Sequence, residues 1–280
     1  MTFDLGPALL FCPADRPERF ATALERADAV ILDLEDAVLP DAKATARRNL
    51  IDADVDPARV IVRVNAPGTD AFASDLEALA QTDFSTIMVA KSETPESFSA
   101  FDDRYSLIAL CETARGVHAA ASIAAHPLIV AMMWGAEDLV ASLGGTSSRN
   151  SDGGYRDIAR YARSRVLLEA GAHGKAAIDA VHINLDDAAG LEREAIDAAA
   201  SGFRATACIH PQQVAVIRDA YRPDDASVAW AHAVLSAAAH ERGVFRFDGR
   251  MIDEPVLRHA RSVVSRATVS RGAVSRGPRS

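Results

Sequence analysis

Long apolar runs are missing from this chain of 280 residues: the longest, residues 127–136, is far shorter than the roughly 20 residues that a membrane span needs. No membrane insertion is expected. Near the start, Asp4 stands where an export signal would carry basic residues ahead of an apolar stretch, so no export is expected either. Cysteine is scarce. Cys12, Cys111 and Cys208 cannot all pair, and each lies in an apolar run where a thiol behaves as a small buried hydrophobe, which points to a reducing cytoplasm. Positive charge is in deficit, with 30 Lys plus Arg against 39 Asp plus Glu and a net charge of -9, which disfavours nucleic acid and anionic lipid surfaces as partners. Only a local basic pocket remains open. There is no Walker pattern and no GxGxxG, and Gly144-Gly145 with Ser147-Ser148 is too loose for a phosphate loop, so neither ATP nor a dinucleotide is implied.

What is present is a globular balance, 49% hydrophobic against 25% charged, which excludes disorder throughout. Short apolar runs at 8–11, 29–34, 60–65, 86–90, 107–111, 129–134, 177–183 and 206–209 alternate with helical stretches at 17–26, 43–50, 72–80, 95–101, 116–125, 155–170 and 191–201. Eight strands in βα alternation predict a (β/α)8 TIM barrel over residues 1–210. Beyond it the pattern turns to helices at 211–220, 225–240 and 255–265 around a short VFRFDGRMID segment, a C-terminal helical extension over 211–264. The Ser-Arg repeats of 265–280 hold little to bury and read as a disordered tail. The stretch GGTSSRNSDGG, 144–154, follows the sixth strand, where a barrel places an active-site loop, and its composition predicts mobility.

Catalytic groups of a barrel come from the C-terminal ends of several strands. Here those ends carry Asp33, Glu35 and Asp36 after strand two, Arg63 and Asn65 at strand three, Lys91 after strand four, Glu112 and Arg115 after strand five, Glu137 and Asp138 after strand six. Glu112 and Asp138, from adjacent strands, would repel unless a proton or a cation sat between them. With oxygen donors alone, Mg²⁺ or Mn²⁺ suits them better than Zn²⁺; the plain alternative is an acid favoured by a helix N-terminus. Arg63 in an apolar strand is either a salt-bridge partner of Asp33 or Glu35, or an electrophile for a developing enolate or carboxylate. Lys91 is either a Schiff-base nucleophile or an ordinary structural lysine. His210, before Pro211, reads as a packed or helix-capping histidine.

The runs LLFCPADRPERF, AVILDLEDAV, VIVRVNAPGT, ALCETARGVHAAASIA, MMWGAEDLVASLGG, AAIDAVHIN, GFRATACIHPQQV and FRFDGRMIDEPVLRHA, in order from about residue 8 to about 262, resemble the citrate lyase β-subunit-like family, relatives of malyl-CoA and citramalyl-CoA lyases. The resemblance implies a Mg²⁺-dependent carbon–carbon lyase acting on 3-hydroxyacyl-CoA thioesters and giving a 2-oxo acid and an acyl-CoA. It implies Glu112 and Asp138 as metal ligands, with Glu112 also at the substrate, and Arg63 as the arginine that binds substrate and stabilises the enolate. It further implies Asp253 as an acid/base from a neighbouring subunit of a homo-oligomer, a trimer or a dimer of trimers, and Arg16 as a contact to the CoA phosphates. Two departures stand out: Ala90-Lys91 where many relatives carry Pro-Lys, and LEDAV where the hydroxy-diacid aldolase branch carries a histidine base. The CoA lyase branch is therefore preferred. The rival readings are a metal-free lysine Schiff-base aldolase and a non-catalytic CoA-ester-binding subunit of a larger lyase complex.

Overall fold

The computed structural model of the protein describes residues 3–241 and 243–274. Eight parallel strands close into a barrel in sequence order: β1 (Ala8–Pro13), β2 (Ala29–Asp33), β3 (Val60–Val64), β4 (Thr86–Val89), β5 (Ser106–Cys111), β6 (Ile129–Trp134), β7 (Ala176–Asp179) and β8 (Ala205–Cys208), with β8 paired back to β1. The (β/α)8 barrel expected from the alternation is what forms. Around it run α1 (Phe20–Arg26), α2 (Lys43–Ile51), α3 (Asp70–Leu79), α4 (Ala114–His118), α5 (Ala120–Ala124), α6 (Ala136–Ser142), α7 (Asp157–Ala172), α8 (Ala188–Ser201) and α9 (Pro211–Tyr221).

Both faces of each strand are covered, one by the barrel interior and one by helices, so the strands read as continuous apolar runs. The pleat sends alternate residues inward. Leu9, Ile31, Ile61, Met88, Ile108, Leu110, Met133 and Ile178 form one cluster of buried side chains. Fully burying such an aliphatic side chain stabilises by about 1.5–3 kcal/mol. The same alternation continues past this layer, and there the residue type changes: Ile31 is followed two positions on by Asp33, Ile61 by Arg63, Leu110 by Glu112 and Met133 by Gly135. Charged groups thus begin where the apolar filling ends, at the C-terminal ends of the strands.

Several local expectations are corrected. The stretch 95–101 makes only a 3-10 turn, Pro95–Phe98, and 116–125 divides into the two short helices α4 and α5 around Ala119. β7 stops at Asp179 instead of continuing to 183, and beyond it the His182 carbonyl accepts from the Gln213 side chain at 2.7 Å instead of from a neighbouring strand. Helix α6 was not expected. Loop 144–154, expected to be mobile, is stapled: Asn150 N–H donates to Gly154 O at 2.8 Å, Arg156 N–H to Ser148 O at 2.8 Å, and the Arg149 guanidinium lies 4.0 Å above the Tyr155 ring.

The chain divides into two compact units between Ile217 and Arg218, whereas the sequence pattern puts the division after 210. The second unit holds α10 (Asp225–Ala238), the antiparallel strands β9 (Phe245–Phe247) and β10 (Arg250–Ile252), and α11 (Glu254–Val274). Ala231, Val234, Ile252, Ala260 and Val263 form its own small core. Asp248 and Gly249 both have positive φ, 45° and 77°, the turn that an Asp-Gly pair favours between strands. Helix α11 runs on to Val274, past residue 265, where a disordered tail was expected; residues 275–280 lie outside those described. No helix among the described residues is long and apolar enough to cross a membrane.

Candidate active site

The centre of the barrel mouth is a guanidinium held on three sides. Asp33 and Arg63 are register partners on β2 and β3, so their inward side chains meet directly. Arg63 Nε donates to Asp33 Oδ1 at 2.6 Å and Nη2 to Asp33 Oδ2 at 2.6 Å, a bidentate pair, while Nη1 lies 3.0 Å from Glu35 Oε2. The Phe11 ring lies 4.9 Å below. Burial works against the charge, but Asp33 and then Glu35 hold the Arg63 pKa above its ordinary value. Asp33 is itself fixed, accepting from the backbone N–H groups of Glu35 at 2.9 Å and Ala37 at 3.0 Å. The salt-bridge role considered for Arg63 is therefore real, and its Nη1 and Nη2 still carry further N–H bonds.

Glu112 follows β5 and is 3% exposed. Its Oε1 accepts the backbone N–H of Lys91 at 3.0 Å. Beside it passes Gly135, the residue before α6. A Cβ there would stand 2.8 Å from Glu112 Cβ and 3.0 Å from Oε2, so only glycine lets the β6 end approach this carboxyl. Asp138 lies in the first turn of α6, next to Glu137, which accepts from Ser148 Oγ at 2.6 Å. Burial first, and then the negative charge of Asp138, raise the Glu112 pKa to about 8.

Lys91 links these groups. Its ammonium is hydrogen-bonded to Glu35, lies 3.5 Å from Asp36, and is 3.8 Å from Asp138 Oδ1. Burial opposes its charge, but Glu35 holds the amine protonated, with its pKa above the ordinary lysine value. A paired, protonated amine is a poor Schiff-base nucleophile. Arg63 and Lys91 together offset Asp33 and Glu35. That leaves Glu112 with no cation within 4.0 Å among the described residues, and Asp138 with Lys91 alone at 3.8 Å. Two hard oxygen donors facing each other with surplus negative charge can hold a divalent cation. Among the described residues no group of three or more His, Cys, Asp or Glu is arranged for a metal, so water and substrate would complete its shell.

The other expected residues stand apart from this cluster or lie in the second unit. Arg16 is exposed on the connection after β1, on the mouth side of the barrel. Asp253 belongs to the second unit, where its Oδ1 accepts the Val256 N–H at 3.2 Å at the start of α11. His210 takes the capping role, Nδ1 accepting the Gln212 N–H at 3.3 Å. Arg115 is exposed beside Glu93. Cys12, Cys111 and Cys208 are buried and form no disulfide, with burial pushing Cys12 up to about 11 and Cys111 up to about 12. Sequence reasoning missed Lys43, whose Nζ donates to Leu34 O at 2.8 Å, Glu35 O at 2.9 Å and Asn65 Oδ1 at 2.7 Å and so ties the loop after β2. Its place at the start of α2, nine residues after Leu34, was the only available signal.

Comparison with known proteins adds the context. Residues 8–211 match the family HpcH/HpaI aldolase/citrate lyase. The chain is 55% identical over 262 residues to a citrate lyase subunit beta-like protein of Mycobacterium tuberculosis, covering 94% of this chain and 96% of that protein. It is 34% identical over 272 residues to the mitochondrial citramalyl-CoA lyase of Homo sapiens, covering 86% of this chain and 78% of that one. The crystal structure of protein CitE from Mycobacterium tuberculosis in complex with magnesium, acetoacetate and coenzyme A superposes with a TM-score of 0.88 at 54% identity, covering 95% of this chain and 99% of that chain.

Proposed function

Since the chain belongs to the HpcH/HpaI aldolase/citrate lyase family and is a carbon–carbon lyase, we propose that it cleaves a 3-hydroxyacyl-CoA thioester of the malyl- or citramalyl-CoA type into a 2-oxo acid and an acyl-CoA. The observation that carries this reading is the surplus of two carboxylates, Glu112 and Asp138, beside a clamped guanidinium with N–H groups to spare. Mg²⁺ is the cofactor, held by Glu112 and Asp138, and when bound it polarises the hydroxyl and carboxylate oxygens of the substrate.

The chain's own residues do the rest. The bond that breaks joins the hydroxyl-bearing carbon to the carbon next to the thioester carbonyl. A base takes the hydroxyl proton, the carbon–oxygen double bond of the 2-oxo acid forms, and the electron pair passes into a thioester enolate. Arg63 meets that negative oxygen with its unused N–H groups, and its rigid hold by Asp33 keeps them aimed without reorganisation. Protonation at carbon then gives the acyl-CoA. Asp253, delivered from a second copy of the chain in a trimer or dimer of trimers, is the acid/base. Arg16 meets the CoA phosphates. Reduced thiols at Cys12, Cys111 and Cys208 suit a cytoplasmic setting.

The test is an assay of malyl-, citramalyl-, 3-hydroxy-3-methylglutaryl- and citryl-CoA with Mg²⁺ and then with EDTA. Cleavage of at least one thioester, abolished by EDTA and restored by Mg²⁺, is expected. Turnover insensitive to EDTA and trapped on Lys91 by borohydride would overturn the reading. For Asp253, inactive Asp253→Asn and inactive Glu112→Gln chains reassembled together should regain part of the activity; mixed oligomers without recovery would remove the shared site.

A further inference from the structure

Lys91 occupies a backbone conformation that lysine avoids. Its φ is 47°, in the left-handed region, which is unfavourable for a residue with a Cβ. Strain of this kind persists where the surroundings require it. Here the turn does two things at once. It aims the backbone N–H at Glu112 Oε1, 3.0 Å away, and it leaves the ammonium beside Glu35 and 3.8 Å from Asp138 Oδ1. One residue thus contacts both carboxylates of the acid pair, Glu112 through the main chain and Asp138 through charge. Glu35 holds the ammonium in the mouth, and Glu35 is in turn 3.0 Å from Arg63 Nη1.

We propose that Lys91 is a positioning residue that sets how tightly the free chain binds Mg²⁺, and that it couples metal binding to the arrival of the anionic 2-oxo acid. The inference rests on the assignment of Glu112 and Asp138 as the Mg²⁺ site. An ammonium within 4 Å of Asp138 competes with a divalent cation for the same oxygen and repels it. Arg63 also acts on Glu112 through its charge, but among the described residues its ion pairs are with Asp33 and Glu35, so Lys91 is the cation that meets Asp138. An incoming 2-oxo acid brings a carboxylate whose negative charge offsets the ammonium. Metal and oxo acid therefore bind better together than either does alone, and the coupling is reciprocal. The backbone contact serves a separate purpose: it keeps Glu112 oriented while the side chain tunes the charge.

The test is calorimetric titration of Mg²⁺ into the full chain, with and without saturating pyruvate as the 2-oxo acid probe, for the wild type and for Lys91→Gly, Lys91→Met and Lys91→Arg. Glycine accepts the positive φ and retains the N–H to Glu112, so Lys91→Gly removes the charge without strain. Both uncharged variants are expected to bind Mg²⁺ about tenfold more tightly than the wild type when pyruvate is absent. With pyruvate present the difference should shrink to about twofold, and Lys91→Arg should behave as the wild type does. Unchanged or weaker Mg²⁺ binding in a Lys91→Gly chain that melts cooperatively would overturn the proposal, as would a tenfold gap that persists under pyruvate. A wild type that binds no Mg²⁺, or a Glu112→Gln chain that binds it equally well, would instead overturn the metal assignment on which the proposal stands.

Discussion

Two clusters of charge at neighbouring strand ends solve opposite problems. At and beyond the end of β7, Asp179, Glu194 and Asp197 are each matched by a cation. Asp179 accepts from Trp134 Nε1 at 2.6 Å and from Arg163 Nη2 at 2.9 Å, the same guanidinium reaches Asp197 at 2.7 Å, and Glu194 is bound by Arg149 and by His182 Nδ1 at 2.9 Å. Beyond β5 and β6, Glu112 and Asp138 are left with like charge facing like charge. The consequence appears in their titration. Burial raises the Glu112 pKa to about 8, with Asp138 adding to the effect. Glu194 is also partly buried, yet His182 and Arg149 hold it below the usual carboxylate range. A balanced cluster fixes the fold, since it stitches α7, α8 and the loop at 149 to β7. An unbalanced one is stable only as an acceptor for a proton or a cation, which is the property a metal-dependent active site needs.

The contrast can be broken from either side. The largest effect is expected at Glu112→Gln: cleavage should fall by about a thousandfold or more, while the melting temperature of the metal-free chain holds or rises because the buried carboxyl no longer has to take up a proton on folding. Steady-state kinetics and thermal melting check both halves. Arg163→Met attacks the balanced cluster and should cost about 3 kcal/mol, because Asp179 is left buried without its cation. Urea denaturation reads the loss, and Mg²⁺ affinity should be unchanged. Arg63→Lys should lower kcat by about a hundredfold, the scale of one lost oxyanion donor, with little change in metal affinity.

The smallest effect is one of pH, with opposite signs at Glu112 and Glu194. Glu112 binds its proton more tightly when folded than at its ordinary value of 4.5, so between there and about 8 the folded chain holds a proton that the unfolded chain has lost. Stability of the metal-free chain should therefore decline as pH rises through that window and level off above it, and Glu112→Gln should remove the decline. Glu194, depressed when folded, contributes stability above the ordinary carboxylate range and loses it as pH falls through its lowered value. Denaturation midpoints measured across pH for Glu112→Gln and Glu194→Gln separate the two slopes.

The barrel was legible because its signal is local. Apolar runs bounded by helical stretches fix strand positions, and ILDLED or VIVRVN shows where the inward alternation turns from Ile to Asp or Arg. Arg63 announced itself as a charge in an apolar strand. What was not legible depends on contacts between distant segments. The left-handed turn at Lys91 answers to Glu112, 21 residues away, and the Arg149 staple answers to Glu194, 45 residues away. Composition alone made 144–154 look loose. The β9–β10 hairpin, by contrast, carried a local signal in its Asp-Gly pair, between FRF and RMI, that went unused.

The central claim is that Glu112 and Asp138 act jointly as one divalent-cation site. Its most direct test is Mg²⁺ titration calorimetry on the wild type, Glu112→Gln and Asp138→Asn, with each chain confirmed as folded by cooperative melting. The account predicts one saturable site in the wild type and no measurable binding in either variant. Wild-type affinity retained in both variants would contradict it.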